Sequence, residues 1–323
     1  MSHSRLTHAL DTGALVLPEG RIAVFAPPTG FDLSALEQAR VEVVSRFYPD
    51  VAYWQGLGYR VLQEPEGHYA VALVVLPRAK DAARALLAEA AGCADLLVVD
   101  GQKTDGVDSI LKAVKKIATP DHVLSKAHGK IFWLAAPALA DWAAAPSDVD
   151  GFVTRPGVFS ADGPDKGSRA LLDDLPALSG HVVDLGAGWG YLSRAILKSD
   201  AVTALDLVEA DLTALDCARE NITDPRATFH WADATQFRPT APANVVVCNP
   251  PFHTGRAGDP GLGRAFIRSA AAMLAPAGVF WMVANRHLPY EDTLAEHFRE
   301  VETIGGTPGF KVIRAAKPHR ARP

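Results

Sequence analysis

The sequence predicts an α/β protein of two tandem Rossmann-like domains. Three observations carry this. Short apolar runs alternate with helix-forming stretches along the chain, which is the pattern of strands joined by crossover helices. A turn-rich segment near residue 150 interrupts the pattern, and the two halves repeat one another in outline. The 323 residues suit two domains of ordinary size. Hydrophobic content of 48% and charged content of 21% are those of a globular chain. The sequence has no run of ~20 apolar residues, so no membrane span is expected. Residues 1–11 are largely polar and do not resemble a signal peptide. Cys93, Cys217 and Cys248 are far apart and match no metal spacing, so no metal site is expected and a reducing, cytoplasmic setting is. A formal net charge of −5 weighs against a protein that coats nucleic acid, although a local basic patch is compatible with it.

The first domain is expected over residues 1–150. Strand-like runs occur at 21–25, 69–76, 95–99 and 130–134, with helical stretches at 80–91 and 107–118, which together predict a parallel sheet. None of these strands runs into a glycine-rich turn. After Phe25 the chain reads Ala26-Pro27-Pro28-Thr29-Gly30, where side chains and prolines block close approach of a ligand to the backbone. The segment from Asp100 to Gly106 reads as an ordinary strand-to-helix turn. Lys112, Lys115, Lys116, Lys126 and Lys130 form either a solvated helix face or a phosphate-contacting surface. An apolar strand ending in proline, an Ala-rich helix, a glycine and a second apolar strand follow one another around Leu76-Pro77. The same succession recurs around Cys248-Asn249-Pro250. The first half therefore reads as a degenerate copy of the second, one that kept the fold and lost the cofactor loop.

The second domain is expected over residues 151–323. It opens with turn formers, Gly151 to Ser160, and then a short helix near Arg169 to Leu175. Phe159 either covers a ligand site or belongs to a plain linker. The most specific cofactor signal follows. A short strand ending in Val183-Asp184-Leu185 leads into Gly186-Ala187-Gly188-Trp189-Gly190 and a helix over 191–198. The glycines permit a tight turn and close backbone approach. A dinucleotide fingerprint would place its third glycine at Tyr191, so that pattern fails. Backbone donors at Gly186, Gly188 and Gly190, with Asp184 to hold a cationic amino group, suit an amino-acid-bearing cofactor such as S-adenosylmethionine (AdoMet). A second strand over 201–208 ends in Glu209, the preferred ligand for ribose hydroxyls, with Asp206 as an alternative. A third strand over 227–231 precedes Asp233, which suits an adenine amino group or, more plainly, a helix cap.

The fourth strand, an apolar run from Asn244 to Cys248, stops at Asn249-Pro250-Pro251-Phe252. Two prolines in succession cannot continue a sheet ladder. An Asn side-chain oxygen and a proline-stiffened carbonyl can accept both hydrogens of a planar amine, and Phe252 can stack on the base that carries it. Asn249, Pro250 and Phe252 are the candidate catalytic residues, and Asn249 also borders the cofactor. His253 and Arg256 stand in the same loop. Lys311, Arg314, Lys317, Arg320 and Arg322 form a basic stretch that either tracks RNA phosphates or is a solvated, frayed tail.

The glycine loop with Asn249-Pro250-Pro251-Phe252 resembles class I AdoMet-dependent methyltransferases that act on amino groups. Pro156-Gly157-Val158-Phe159-Ser160, Asn249 to His253, Val283 to Tyr290 and Gly309-Phe310-Lys311-Val312 are similar to words of the ribosomal RNA small subunit methyltransferase C family. The likeness covers the second half well and the first only in layout. It implies two tandem methyltransferase domains, the N-terminal one without cofactor and the C-terminal one catalytic. It also implies AdoMet as cofactor, 16S rRNA or the small ribosomal subunit as partner, and guanine N2 as the methylated atom. The alternatives are another rRNA base, a protein glutamine amide, or a non-catalytic RNA-binding assembly factor.

Overall fold

The computed structural model describes residues 4–251 and 260–319. They divide into two compact units, Met1–Pro146 with Arg155–Gly157, and Ser147–Thr154 with Val158–Pro323. The turn-rich segment is thus shared between the units, its hairpin going with the second and three residues with the first.

The first unit holds a seven-stranded sheet of β1 (Ile22–Phe25), β2 (Val41–Val44), β3 (Arg60–Leu62), β4 (Tyr69–Val75), β5 (Ala94–Gln102), β6 (His122–Lys126) and β7 (Gly129–Ala135). Their spatial order is β3-β2-β1-β4-β5-β7-β6. Four helices pack on it, α1 (Arg5–Asp11), α2 (Tyr48–Gly56), α3 (Lys80–Gly92) and α4 (Val107–Val114). The loop after β1 is closed. Trp54, itself 1% exposed, donates its indole N–H to the Pro27 carbonyl at 2.8 Å. Thr29 donates through its backbone N–H and its hydroxyl to one oxygen of Asp50. Residues 31–40 form only a single 3₁₀ turn, Gln38–Arg40, so no α-helix follows β1 directly, as Tyr191–Ile196 follows Gly180–Leu185 in the second unit.

The second unit begins with a hairpin of β8 (Ser147–Val149) and β9 (Phe152–Thr154), then α5 (Lys166–Asp174). Its sheet contains β10 (Gly180–Leu185), β11 (Val202–Glu209), β12 (Ala227–Trp231), β13 (Ala243–Cys248), β14 (Leu274–Asn285), β15 (Phe298–Gly306) and β16 (Phe310–Pro318). The helices are α6 (Tyr191–Ile196), α7 (Leu212–Asn221), α8 (Pro260–Met273) and α9 (Glu291–His297). The spatial order is β12-β11-β10-β13-β14-β16-β15, which is the first sheet's order strand for strand. In each unit the second and third strands extend the sheet to one side of the first and the fourth lies on its other side, so in the second unit the reversal falls between β10 and β13. Ligands of open α/β sheets bind at the carboxyl ends on either side of such a reversal.

Side-chain alternation builds the core. Val183, Leu185, Val246 and Phe280 face α8 and α9, burying against Ile267, Ala270 and Leu294. Val182, Val245, Val247 and Val283 face the other way, against Leu171, Leu192, Ile196 and Ala218. With both faces covered, β13 is apolar throughout except exposed Asn244, which is why it reads as one continuous run.

Two expectations are corrected. The sheets are not wholly parallel: β7 runs antiparallel to β5, and β16 antiparallel to β14 and β15. The basic stretch after Gly309 is not a frayed tail either, because Lys311, Arg314 and Lys317 lie on β16. Lys311 is 5% exposed and pairs with Glu291, Arg314 faces Glu300 and Glu302, and Lys317 pairs with Glu300. Carboxylates on neighbouring elements thus meet these cations. Arg320 and Arg322 lie outside the described residues.

Candidate active site

The site is built on the adjacent carboxyl ends of β10 and β13, paired in register through Asp184 and Val247. The chain leaves β10 as the glycine loop. Gly188 has φ +56° and a Cβ added there would meet open space, so the loop presents bare backbone to the crevice. Gly190 has φ +90° and caps α6, and a Cβ there would lie 2.8 Å from Ile222, the residue that ends α7. The helix that follows has six residues, shorter than the 191–198 expected.

Glu209 stands at the end of the neighbouring strand β11. One carboxyl oxygen accepts the Gly188 N–H and the other the Asp211 N–H, both at 2.8 Å. The acid thereby ties the glycine loop to the start of α7, and each oxygen keeps a second lone pair for a ligand hydroxyl. Burial pushes its pKa up to about 7, against the backbone N–H groups that favour the charged form.

Asp184 is placed differently from the acid expected at the loop. Alternation along β10 puts it on the face of Val182, under α6, where it is fully buried. One oxygen accepts the Ser193 hydroxyl at 2.6 Å, and the other has no partner among the described residues. Burial raises its pKa to about 6, the Ser193 bonds opposing. It anchors helix to strand beneath the loop. Asp206 is likewise no rim residue. Its carboxylate sits between His181 and His230, at 2.8 and 2.9 Å, which leaves Glu209 as the acid facing the loop. Burial raises the Asp206 pKa, but the two histidines outweigh it and hold the group below the usual range. Asp233 accepts the backbone N–H and hydroxyl of Thr235 with one oxygen, forming a turn after β12.

Asn249 closes the other side of the crevice. Its amide nitrogen donates to Asp165 Oδ2 at 2.9 Å and to Ser168 Oγ at 2.8 Å. Its Oδ1 is buried and has no partner among the described residues. The crevice is lined by Asp165, Ser168, Gly186, Gly188, Trp189 and Asn249, among others. Buried polar atoms are almost always paired, so a lone acceptor here marks a place for a donor beyond the described residues. Pro250 is buried beside it, whereas Phe252, His253 and Arg256 lie outside the described residues.

Phe159 is 62% exposed at the mouth of this crevice. Its backbone carbonyl accepts the Trp189 indole N–H at 2.9 Å. Asn221 bonds the backbone of Val153 and of Trp189, so the turn-rich segment is fastened to the glycine loop.

A family model describing the methyltransferase small domain matches residues 150–314. A ribosomal RNA small subunit methyltransferase C of Shewanella halifaxensis is 31% identical over 236 residues, covering 68% of this chain and 69% of that protein. The namesake of Alteromonas mediterranea is 28% identical over 350 residues, 95% and 97% of the two chains. This chain belongs to the ribosomal RNA small subunit methyltransferase C family. Among solved structures, the T. thermophilus 16S rRNA N2 G1207 methyltransferase in complex with AdoMet and guanosine superposes with a TM-score of 0.79. It is 26% identical, with 97% of this chain and 92% of that one covered.

The structure brings Gly186, Gly188 and Asn249 around one crevice, with Glu209 behind it on the Gly188 N–H. Asp184 supports them from below, and Asp233 turns the chain after β12. Sequence reasoning passed over the bonds that Asp165 and Ser168 make to Asn249. The signal available was a capping pattern, Asp165 three residues before Ser168 at a helix start.

Proposed function

We propose that this chain transfers the methyl group of AdoMet to the exocyclic N2 amine of a guanine in 16S rRNA. The observation that carries the reading is the unpartnered, buried Asn249 Oδ1 beside the glycine loop. The crevice fits the cofactor: bare backbone at Gly188 and the two-handed acceptor Glu209 lie next to a lone acceptor suited to an amine. Gly186, Gly188, Gly190, Glu209, Asp233 and, from beneath, Asp184 would hold AdoMet. When bound, it supplies a methyl group already activated on a sulfonium.

The remaining work is positioning. A guanine N2 lone pair is delocalised into the ring, so the amine must be held rather than merely admitted. Asn249 Oδ1 and the Pro250 carbonyl accept its two hydrogens, fix its plane and leave the lone pair as the free valence. No strong general base is needed. Phe252 stacks on the base, which is extruded or already unpaired.

Residues 151–323 are read as the catalytic domain and 1–150 as a degenerate copy that kept the fold. The loop closed by Trp54 and the missing helix after β1 support that reading. The partner is 16S rRNA or the small subunit that contains it, and the setting is the cytoplasm. Tritium transfer from AdoMet to naked 16S rRNA, intact 30S subunits and release-factor protein, run in parallel, tests the function. Label in guanine N2 is expected, and label only in protein overturns it. Replacing Asn249 with Ala should abolish transfer while leaving AdoMet affinity within about twofold, because the lost hydrogen bond goes to the base and not to the cofactor.

A further inference from the structure

We infer that Asp165 and Ser168 are positioning residues that fix the polarity of the Asn249 amide, and so select an amino group over a keto oxygen on the target base. The inference rests on the reading of Asn249 as the acceptor for the substrate amine. A primary amide is nearly symmetric in shape: turned by half a rotation, it offers donors where it offered an acceptor. Which end faces the crevice decides what the site can hold.

Both Nδ2 hydrogens of Asn249 are committed, one to Asp165 Oδ2 and one to Ser168 Oγ. Asp165 Oδ2 also accepts the backbone N–H groups of Gly167 and Ser168 at 2.8 and 3.0 Å. That oxygen is held as an acceptor by the first turn of α5, and Ser168 is 8% exposed. A flipped Asn249 would set oxygen against oxygen and strand both hydrogens in the crevice. The cap of α5 and the orientation of Asn249 are therefore one device, with Oδ1 left over as a buried acceptor that has no partner among the described residues. A base with a carbonyl in place of the amine meets a repulsive acceptor there, which is discrimination by an unpaired polar group.

An exchange of the two side chains tests this. Asp165→Asn keeps a capping oxygen but loses the acceptor-only partner. Asn249→Asp puts two carboxyl groups in contact. Each alone should lower kcat by about tenfold or more with the Kd for AdoMet within about twofold. In the combined variant the amide introduced at position 165 can turn its nitrogen to the carboxylate introduced at position 249 only by giving up the α5 cap that Asp165 Oδ2 supplies, so it should recover about tenfold in kcat over Asn249→Asp while unfolding at a lower temperature. If Asp165 merely caps α5, the effects add and the combined variant is slower than either, which overturns the proposal. A second readout needs no RNA. The Asn249 side-chain amide protons, assigned by NMR, should exchange slowly in the wild type and faster in Ser168→Ala. Rapid exchange in the wild type also overturns the clamp. Absence of guanine labelling by a wild type whose amide is protected would instead strike the functional reading.

Discussion

Glu209 does two jobs with one carboxyl group, and they conflict in their demand on its proton. Ionised, it is the better acceptor for the Gly188 and Asp211 N–H groups and, in the function proposed above, for a ligand diol, yet burial raises its pKa from the ordinary 4.5 to about 7. The folded protein therefore holds this proton to higher pH than the unfolded chain does. Its contribution to the stability of the ligand-free protein is greatest at or below pH 4.5 and declines as pH rises to about 7. Cofactor affinity moves the other way, since the carboxylate is the better acceptor. The Kd for AdoMet, measured by calorimetry, should fall between pH 6 and pH 8, and Glu209→Gln should flatten that dependence.

At the scale of the element, the glycine loop separates two requirements that the sequence pattern presents as one. Gly190 is needed for packing: Gly190→Ala forces a Cβ at φ +90° against Ile222 and should destabilise the fold by about 2 kcal/mol. Gly188 is needed for access: a side chain there meets no protein atom, so Gly188→Asn, whose residue type tolerates φ +56°, should cost AdoMet affinity far more than stability. Thermal unfolding with and without AdoMet distinguishes the two. The loop itself was legible because glycines, a preceding strand and a following helix are local features. Asn249 was legible for the same reason, two prolines marking a strand end. The direction of Asp184 was harder, since it depends on which face of β10 meets α6. The partners of Asn249 were hidden because they come from α5, far upstream in the chain. Strands β3, β6 and β15 were hard to read because their residues are largely half-buried or exposed, and β2 because Glu42 interrupts its apolar run. The basic stretch misled because charge was read without the acidic partners that tertiary pairing brings to Lys311 and Arg314.

On the scale of the whole molecule, two sheets share one strand order, but only the second carries an open loop at the reversal point. The prediction is a binding stoichiometry of one AdoMet per chain. AdoMet at a hundredfold excess over Kd should raise the unfolding free energy of the unit containing residues 158–323 by about 2.7 kcal/mol, read from the shift of its denaturant midpoint. A second site of similar affinity would contradict the reading of the first unit as a copy that lost its cofactor.

Strand β16 is the last strand of the sheet in chain order, yet it lies inside it, paired to β14 on one edge and β15 on the other. β15 has no other neighbour in the sheet. During synthesis, β14 and β15 must therefore wait with unsatisfied edges until Phe310–Pro318 emerges from the exit tunnel. The nascent chain cannot complete this sheet beforehand, because β15 gains its partner only once Phe310–Pro318 has been made.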